Sequence, residues 1–427
     1  MPNAVSAVAM DQESSLHHSP SSAQLELVAV TILAVVIRLA WVWFGAWTSG
    51  DSAWYINVAR NIAFHHAFSA SADGSTITPT AFRPPLYSAI IAALWIANSP
   101  PVFAVLLLQV LLGAATVALC YLIARDQFGH GVAMLAAVGL ALAPMSGYFT
   151  AVILSETLFT FLLTLGVFCW GRERYVAAGI AFGLGSLTRV TLLPFVVLLP
   201  LLTLLRPWRS YRRGYLTISL LSLTIASVWI ARNAIEFHRF IPIAASGYGT
   251  NLLVGSMAAS EADDVPKRKA LLGSVDAAGG KESVDETEFD RVRLRAGLRR
   301  IGESPGRWLI ARVQQYPRLF IDNGSYMFGS EGAPFKVAIR EGRIGQVLLR
   351  IVFILSNVLV FSFALFGIIG ERERFARLSH LTLFPIFLSA ISLPLWIEPR
   401  YGLPMMPLVA VLSAIGFTRS LKFRRHS

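Results

Sequence analysis

Two carboxylates and three arginines stand where this chain can least tolerate charge without a reason. Asp51 lies in Trp47-Thr-Ser-Gly-Asp51-Ser-Ala-Trp-Tyr55, directly after an apolar stretch, Leu25 to Trp47, long enough to cross a bilayer. That position is at interfacial depth, among the aromatic residues that collect there, and an ionised carboxylate can accept a proton. The alternative is an acid that ends the helix and faces solvent. Glu156, in Leu154-Ser-Glu156-Thr-Leu158, opens a later apolar segment on the same side, so the two acids can share base and orienting roles. Read alone, Glu156 is a helix N-terminal acid favoured by the dipole. Arg83, before Pro84-Pro85, and Arg400, in Glu398-Pro-Arg400-Tyr401, sit at external helix ends where positive residues are under-represented. A guanidinium offers a planar fork of donors that matches phosphate oxygens and never deprotonates. Snorkelling or a salt bridge is the other reading, especially for Arg400 beside Glu398. Arg189, in Ser186-Leu-Thr-Arg189, ends a short apolar segment, where an arginine marks a functional site or a buried pair. His65 and His66 lack a Cys or carboxylate spacing that marks a metal site and read as loop residues.

The elements that must position these residues are membrane helices. The 427 residues are 55% hydrophobic and 15% charged, with mean hydropathy +0.59, and long uncharged runs recur from Leu25 to Phe417. This is an all-α polytopic membrane protein. Net charge is +12, yet residues 261–341 hold 14 Lys/Arg against 13 Asp/Glu, so the excess belongs to the apolar remainder. There it clusters at Arg125, at Arg172 and Arg174, at Arg206 to Arg213, at Arg372 to Arg377 and at Arg419 to Arg425, which marks cytoplasmic loops and argues against a nucleic-acid groove. About ten spans follow: 25–47, 102–125, 130–148, 156–171, 175–189, 190–205, 214–235, 346–370, 377–396 and 401–418. Both termini then face the cytoplasm. Cys120 and Cys169 fall inside apolar segments, so no disulfide framework is visible. Residues 1–24 read as a disordered cytoplasmic tail without the positive region of a cleaved signal, and 419–427 as a basic one.

The first external loop, 48–101, is expected to hold two interfacial helices. Ser52 to Phe64 carries Ala53, Ile56, Ala59, Ile62 and Ala63 on one side and Asn57, Arg60 and Asn61 elsewhere; Pro85 to Asn98, opened by Pro84-Pro85, is too short to span. The second external segment, 236–345, has a polar, Gly/Ala-rich middle at 261–281 that reads as mobile. A capping box at Ser283-Val-Asp-Glu286 then starts a surface helix, and a further helix, Pro305 to Phe320, is expected along the membrane surface. The module 25–235 would carry the chemistry and 346–418 the last spans. No internal repeat of the transporter kind is visible.

The order of these stretches resembles a family. Asp51-Ser-Ala-Trp-Tyr55-Ile-Asn-Val-Ala59-Arg-Asn61, Arg83-Pro-Pro-Leu-Tyr87, Leu154-Ser-Glu156-Thr-Leu-Phe159, Leu187-Thr-Arg189, Trp229-Ile-Ala-Arg232-Asn233, Gly249-Thr-Asn251-Leu and Arg400-Tyr401-Gly-Leu-Pro404 are similar to the GT-C glycosyltransferases of the protein O-mannosyltransferase-like and aminoarabinose transferase-like group. The resemblance runs from about residue 25 to 418. One departure is Ser52, where many members carry a second acid, which weakens any metal or second-carboxylate role there.

The resemblance implies the GT-C fold in the plasma (inner) membrane and a glycosyltransferase with a polyprenyl-phosphate-sugar donor, acting at the external face with inversion on a lipid, glycan or protein hydroxyl. Asp51 and Glu156 would be catalytic, Arg83, Arg189 and Arg400 would hold the donor phosphate, and Tyr55, Tyr87, Asn251 and Tyr401 would line the substrate pocket. No metal ligands are assigned, and a divalent metal stays open as a cofactor. No Gly-rich phosphate loop signals a nucleotide. The rival class is a lipid-linked-sugar flippase or transporter, which makes no bond. Against it stands the gathering of the candidate charges at one external face.

Overall fold

Apolar residues on every side make α1 (Ser22–Phe44) a helix whose surroundings must also be apolar; only Val30, Ala34 and Arg38 are buried by the rest of the chain. The computed structural model describes residues 22–45, 48–72, 77–95, 99–244, 247–262, 264–278, 286–322, 324 and 335–426. Most of the expected tail 1–24, Trp47, and Ser283 to Asp285 of the expected capping box lie outside those residues. Among the described residues the chain is helical, with a single isolated bridge between Ser69 and Pro79 and no longer strand.

The helices continue as α2 (Gly50–His65), α3 (Leu86–Ala93), α4 (Val102–Phe128), α5 (His130–Leu142), α6 (Pro144–Thr150), α7 (Glu156–Gly171), α8 (Tyr175–Ser186), α9 (Leu192–Leu198) and α10 (Arg212–Phe237). The segment between α10 and the next long apolar helix adds α11 (Tyr248–Gly255), α12 (Ala259–Ala262), α13 (Val265–Ala278), α14 (Glu286–Glu303), α15 (Pro305–Gln315) and α16 (Phe335–Arg340). The chain ends with α17 (Ile344–Gly370), α18 (Ser379–Ser392) and α19 (Met406–His426). Five segments are long and apolar enough to cross a membrane: Ser22–Phe44, Val102–Phe128, Arg206–Phe237, Ile344–Gly370 and Pro399–Lys422. The expected span 130–148 is a pair, α5 and α6, bent by 53°, and counting it as one crossing makes six. Pro144 at the start of α6 causes the break, because it cannot donate into the preceding turn. The other four expected spans are apolar helices of 10–17 residues, short for a bilayer by themselves. The protein is a multi-pass membrane protein.

Close packing of the spans depends on missing side chains. Where α17 crosses α19, a Cβ on Gly367 would meet the Leu412 carbonyl and one on Gly416 the Phe363 carbonyl, so these glycines let the two backbones touch. α1, α4, α5, α7 and α19 share the main core with α8 to α10 and α18, through residues such as Val117, Ala137, Leu163, Phe182 and Leu412. A second cluster, under α2 and α3, joins Tyr55, Tyr87, Phe149, Leu154 and Leu158.

Both expected loop helices form. The face that α2 buries differs from the expected one: Ser52, Tyr55, Val58, Ala59 and Asn61 are buried. Asn61 tolerates burial because its amide donates to the carbonyls of Ser69 (2.8 Å) and Ser71 (2.9 Å). The polar stretch expected to be mobile folds as α12 and α13, held by Asp276 against Arg293 of α14 (2.6 Å) and by Arg268 over the Trp396 ring (4.6 Å). α11 and α14 touch at Gly249, and Asp290 of α14 accepts from the amides of Gly247, Gly249 and Thr250 at the start of α11.

Candidate active site

Asp51 does not end the first span; it occupies the first turn of α2, where the helix dipole favours a negative charge. Ser52, the next residue, accepts from the Ser49 amide (2.9 Å) and is fully buried. Its hydroxyl is committed to starting the helix.

Chain segments far apart in sequence converge on Asp51. Arg83 donates through Nη2 to Oδ1 (2.7 Å), and Arg400, from the strap between α18 and α19, donates through Nη1 to Oδ2 (3.0 Å). Arg400 Nη1 also lies 3.9 Å from Oε1 of Glu156, and its Nε contacts Glu398. Glu156, 3% exposed, opens α7 and pairs with Arg189 (2.8 Å). Three guanidiniums and three carboxylates thus form one network of balanced charge. Burial alone would raise the Asp51 carboxyl, but the Arg83 and Arg400 guanidiniums outweigh it and hold it below the usual aspartate range.

The arginines differ in their commitments. Arg400 faces all three carboxylates, whereas among the described residues Arg83 pairs only with Asp51 and reaches the Tyr55 hydroxyl at 3.4 Å. Its guanidinium lies 5.2–5.7 Å from the rings of Trp54, Tyr55 and Phe82.

Of the expected pocket residues, Tyr55 and Tyr87 adjoin this network: their rings meet edge to face at 4.9 Å, and Tyr55 donates to Ser155 Oγ (3.1 Å), next to Glu156. The Tyr401 ring lies 5.8 Å from the Arg400 guanidinium. No hydrogen bond joins the Asn251 side chain to the network among the described residues; its carbonyl accepts from the Trp396 amide (2.9 Å), on the strap that carries Glu398 and Arg400. Two members were missed from sequence. Glu398 was visible only as a neighbour of Arg400. Gln109, a lone amide in the apolar run of α4, accepts from the Tyr87 hydroxyl (2.6 Å) and donates to the carbonyls of Thr150 and Val152 (both 2.8 Å). A polar side chain inside an apolar span was the available signal. Among the described residues no group of three or more His, Cys, Asp or Glu could hold a metal ion.

Residues 82–231, about a third of the chain, match the sequence model of the dolichyl-phosphate-mannose-protein mannosyltransferase family. That range contains Arg83, Tyr87, Glu156 and Arg189. No curated protein matches the chain by sequence. The structure resembles the archaeal oligosaccharyltransferase AglB from Archaeoglobus fulgidus in complex with an inhibitory peptide and a dolichol-phosphate, at 15% identity and TM-score 0.54, over 95% of this chain and 51% of that one. The Archaeoglobus fulgidus oligosaccharyltransferase tethered to an acceptor peptide gives 16% and 0.55, over 94% and 50%. ArnT from Cupriavidus metallidurans bound to undecaprenyl phosphate gives 16% and 0.43, over 92% and 78%. The chain spans about half the length of the two oligosaccharyltransferases. The protein has the GT-C fold, and its segment 82–231 matches the dolichyl-phosphate-mannose-protein mannosyltransferase family.

Proposed function

We propose that this protein is a membrane glycosyltransferase that moves a sugar from a polyprenyl-phosphate donor to a hydroxyl of a lipid, glycan or protein acceptor, at the membrane face that bears Asp51. The observation that carries the reading is the Asp51 carboxylate held between Arg83 and Arg400 at one end of the helix assembly. Asp51 accepts the proton of the acceptor hydroxyl as that oxygen attacks the anomeric carbon from the side opposite the phosphate; the C–O bond to phosphate breaks, and polyprenyl phosphate leaves with inversion. Arg83, Arg189 and Arg400 stabilise the charge that develops on the leaving phosphate, and Arg400 also keeps the carboxylates in register. Glu156 orients the acceptor or sugar, beside Tyr55, Tyr87 and Tyr401, with Asn251 further along the wall. In the unliganded network Asp51 is a weak base because two cations face it. A donor phosphate that draws Arg83 away restores its basicity, so the donor should bind before the acceptor. A flippase would use similar charges without breaking a bond, but the paired acid and arginines lie together at one face.

Substitution of Arg83 tests the phosphate role. Arg83→Lys keeps charge and loses the fork, so it should retain more activity than Arg83→Ala, whose catalytic efficiency should fall by about 2 kcal/mol, roughly 30-fold. Equal activity in wild type and both variants would move the phosphate site elsewhere. The pH profile adds an independent sign. With Asp51 depressed by its arginines, the acid limb of kcat/KM should lie below the usual aspartate range. Arg83→Gln removes one depressing charge while burial still opposes ionisation, so the limb should move to higher pH. An unmoved limb would detach Asp51 from it.

The membrane is taken to be the plasma (inner) membrane, with about ten crossings and both termini cytoplasmic, because the arginine clusters fall at one set of helix ends. A reporter active only outside the cytoplasm should work when fused at Gly74 or Gly280 and stay silent at Gly214 or Ser427. Activity at Gly214 would overturn this topology.

A further inference from the structure

Helix α15 is amphipathic with its faces reversed relative to a water-facing helix. It buries Ala311, Arg312 and Gln315 against the protein, while Leu309, Ile310 and Val313 are 57%, 60% and 69% exposed along the other face. On the buried side, Arg312 donates to the Leu395 carbonyl and to Gln315 Oε1 (2.8 Å). Leu395 belongs to the strap that leads into Glu398 and Arg400, so α15 and the active site share one end of the molecule.

The chain leaving α15 fixes its depth. The 3-10 turn Tyr316–Leu319 places the Tyr316 hydroxyl on the Ser389 carbonyl (3.0 Å), one turn inside the end of α18, and sets the Leu319 carbonyl against Gly402 at the start of the last crossing. Phe320 then packs on Phe361 of α17 (5.2 Å), and Gly324 lies against Phe353 of the same helix. Phe353 and Phe361 are nine and 17 positions into that 27-residue crossing. At about 1.5 Å per residue, the segment following α15 therefore runs alongside apolar helix at depths where the surroundings of α17 are hydrocarbon. A helix tethered so closely to that level, with three aliphatic side chains outward, does not face bulk water.

We infer that the Leu309, Ile310 and Val313 face of α15 is a lipid-docking surface, seated in the acyl region of the leaflet on the Asp51 side. Arg307, exposed at the first turn, is placed to meet the phosphate of that leaflet's headgroups. Through Arg312, the lipid-seated helix braces the strap that presents Arg400, so the bilayer itself helps position the network. The surface does not depend on the transfer reaction and can be tested without it.

The test attaches an environment-sensitive fluorophore to Ile310→Cys and, separately, Val313→Cys in protein reconstituted into phospholipid nanodiscs. Arg299→Cys on α14, where the native side chain is 74% exposed, serves as the water-facing control. Both native cysteines, Cys120 and Cys169, are buried and leave the label site-specific. The expected result is blue-shifted emission at 310 and 313, quenched several-fold by acyl-brominated lipid and little by aqueous iodide, with the reverse at 299. Iodide quenching at 310 and 313 equal to that at 299 would place the face in water and overturn the inference. Protection from both quenchers would also overturn it, since the face would then be covered by protein, including a second copy of the chain.

Discussion

Asp51→Asn should lower turnover by about two to four orders of magnitude while leaving the donor KM unchanged or lower. Asparagine keeps the size of the side chain and can still accept from one of Arg83 and Arg400, which approach separate carboxylate oxygens at 2.7 and 3.0 Å, but it presents an NH2 group to the other and takes up no proton. Removing the negative charge also leaves both guanidiniums less compensated, so an incoming phosphate is attracted at least as strongly. That split between kcat and KM separates a base from a strut. If Asp51 only held Arg83 and Arg400 in place, its loss would scatter the phosphate ligands and raise the donor KM with little effect at saturation. Steady-state kinetics with saturating donor distinguishes the two, and near-normal kcat would remove Asp51 from the chemistry.

Arg189→Ala should be the most destabilising change in the network. It strands Glu156, a carboxylate that is 3% exposed and paired at 2.8 Å, and breaking a buried pair from one side costs about 3–5 kcal/mol. Arg400 remains 3.9 Å from Glu156, which points to the lower end of that range. The cost comes from the orphaned charge and not from the lost contact, so Glu156→Gln on top of Arg189→Ala should recover most of the unfolding temperature measured in detergent. Activity should stay low in the double variant, because Glu156 and Arg189 are both assigned to the substrate side. If the double variant is no more stable than Arg189→Ala, the pair is not the coupled unit that the geometry describes.

The charged residues of the network other than Glu398 were visible one by one in the sequence, because each sits beside an apolar run where a charge is conspicuous. Their partnerships were not. Arg400 reaches Asp51 across 349 positions, and which arginine meets which acid depends on how α2, α7 and the strap before α19 pack. The same limit explains α2, whose buried side includes Asn61. Hydrophobic periodicity assigns an amide to the outside, and only the carbonyls of Ser69 and Ser71, brought in by the following turn, make its burial tolerable. Residues 261–281 read as mobile from composition, yet Arg293 and Trp396, both distant in sequence, give its part at Val265–Ala278 the contacts that hold it as a helix. Arg38 in α1 went unremarked despite being a cation within an apolar span. It is 2% exposed, donates to the Ala34 carbonyl (3.2 Å) and lies in the space that Gly113 leaves open. The long apolar helices, by contrast, were legible, since long apolar runs mark them locally, whereas the bend before Pro144 was not read and 130–148 was expected as one straight span.

The central claim is bond-making at the Asp51 network. It is tested most directly by incubating the purified, lipid-reconstituted protein with polyprenyl-phosphate sugar labelled in both the sugar and the lipid, together with a cell-envelope extract as acceptor source. The account predicts free labelled polyprenyl phosphate in step with labelled sugar on an acceptor, and neither product from Asp51→Asn. Labelled donor that crosses the bilayer intact, or products formed equally by Asp51→Asn, would contradict it.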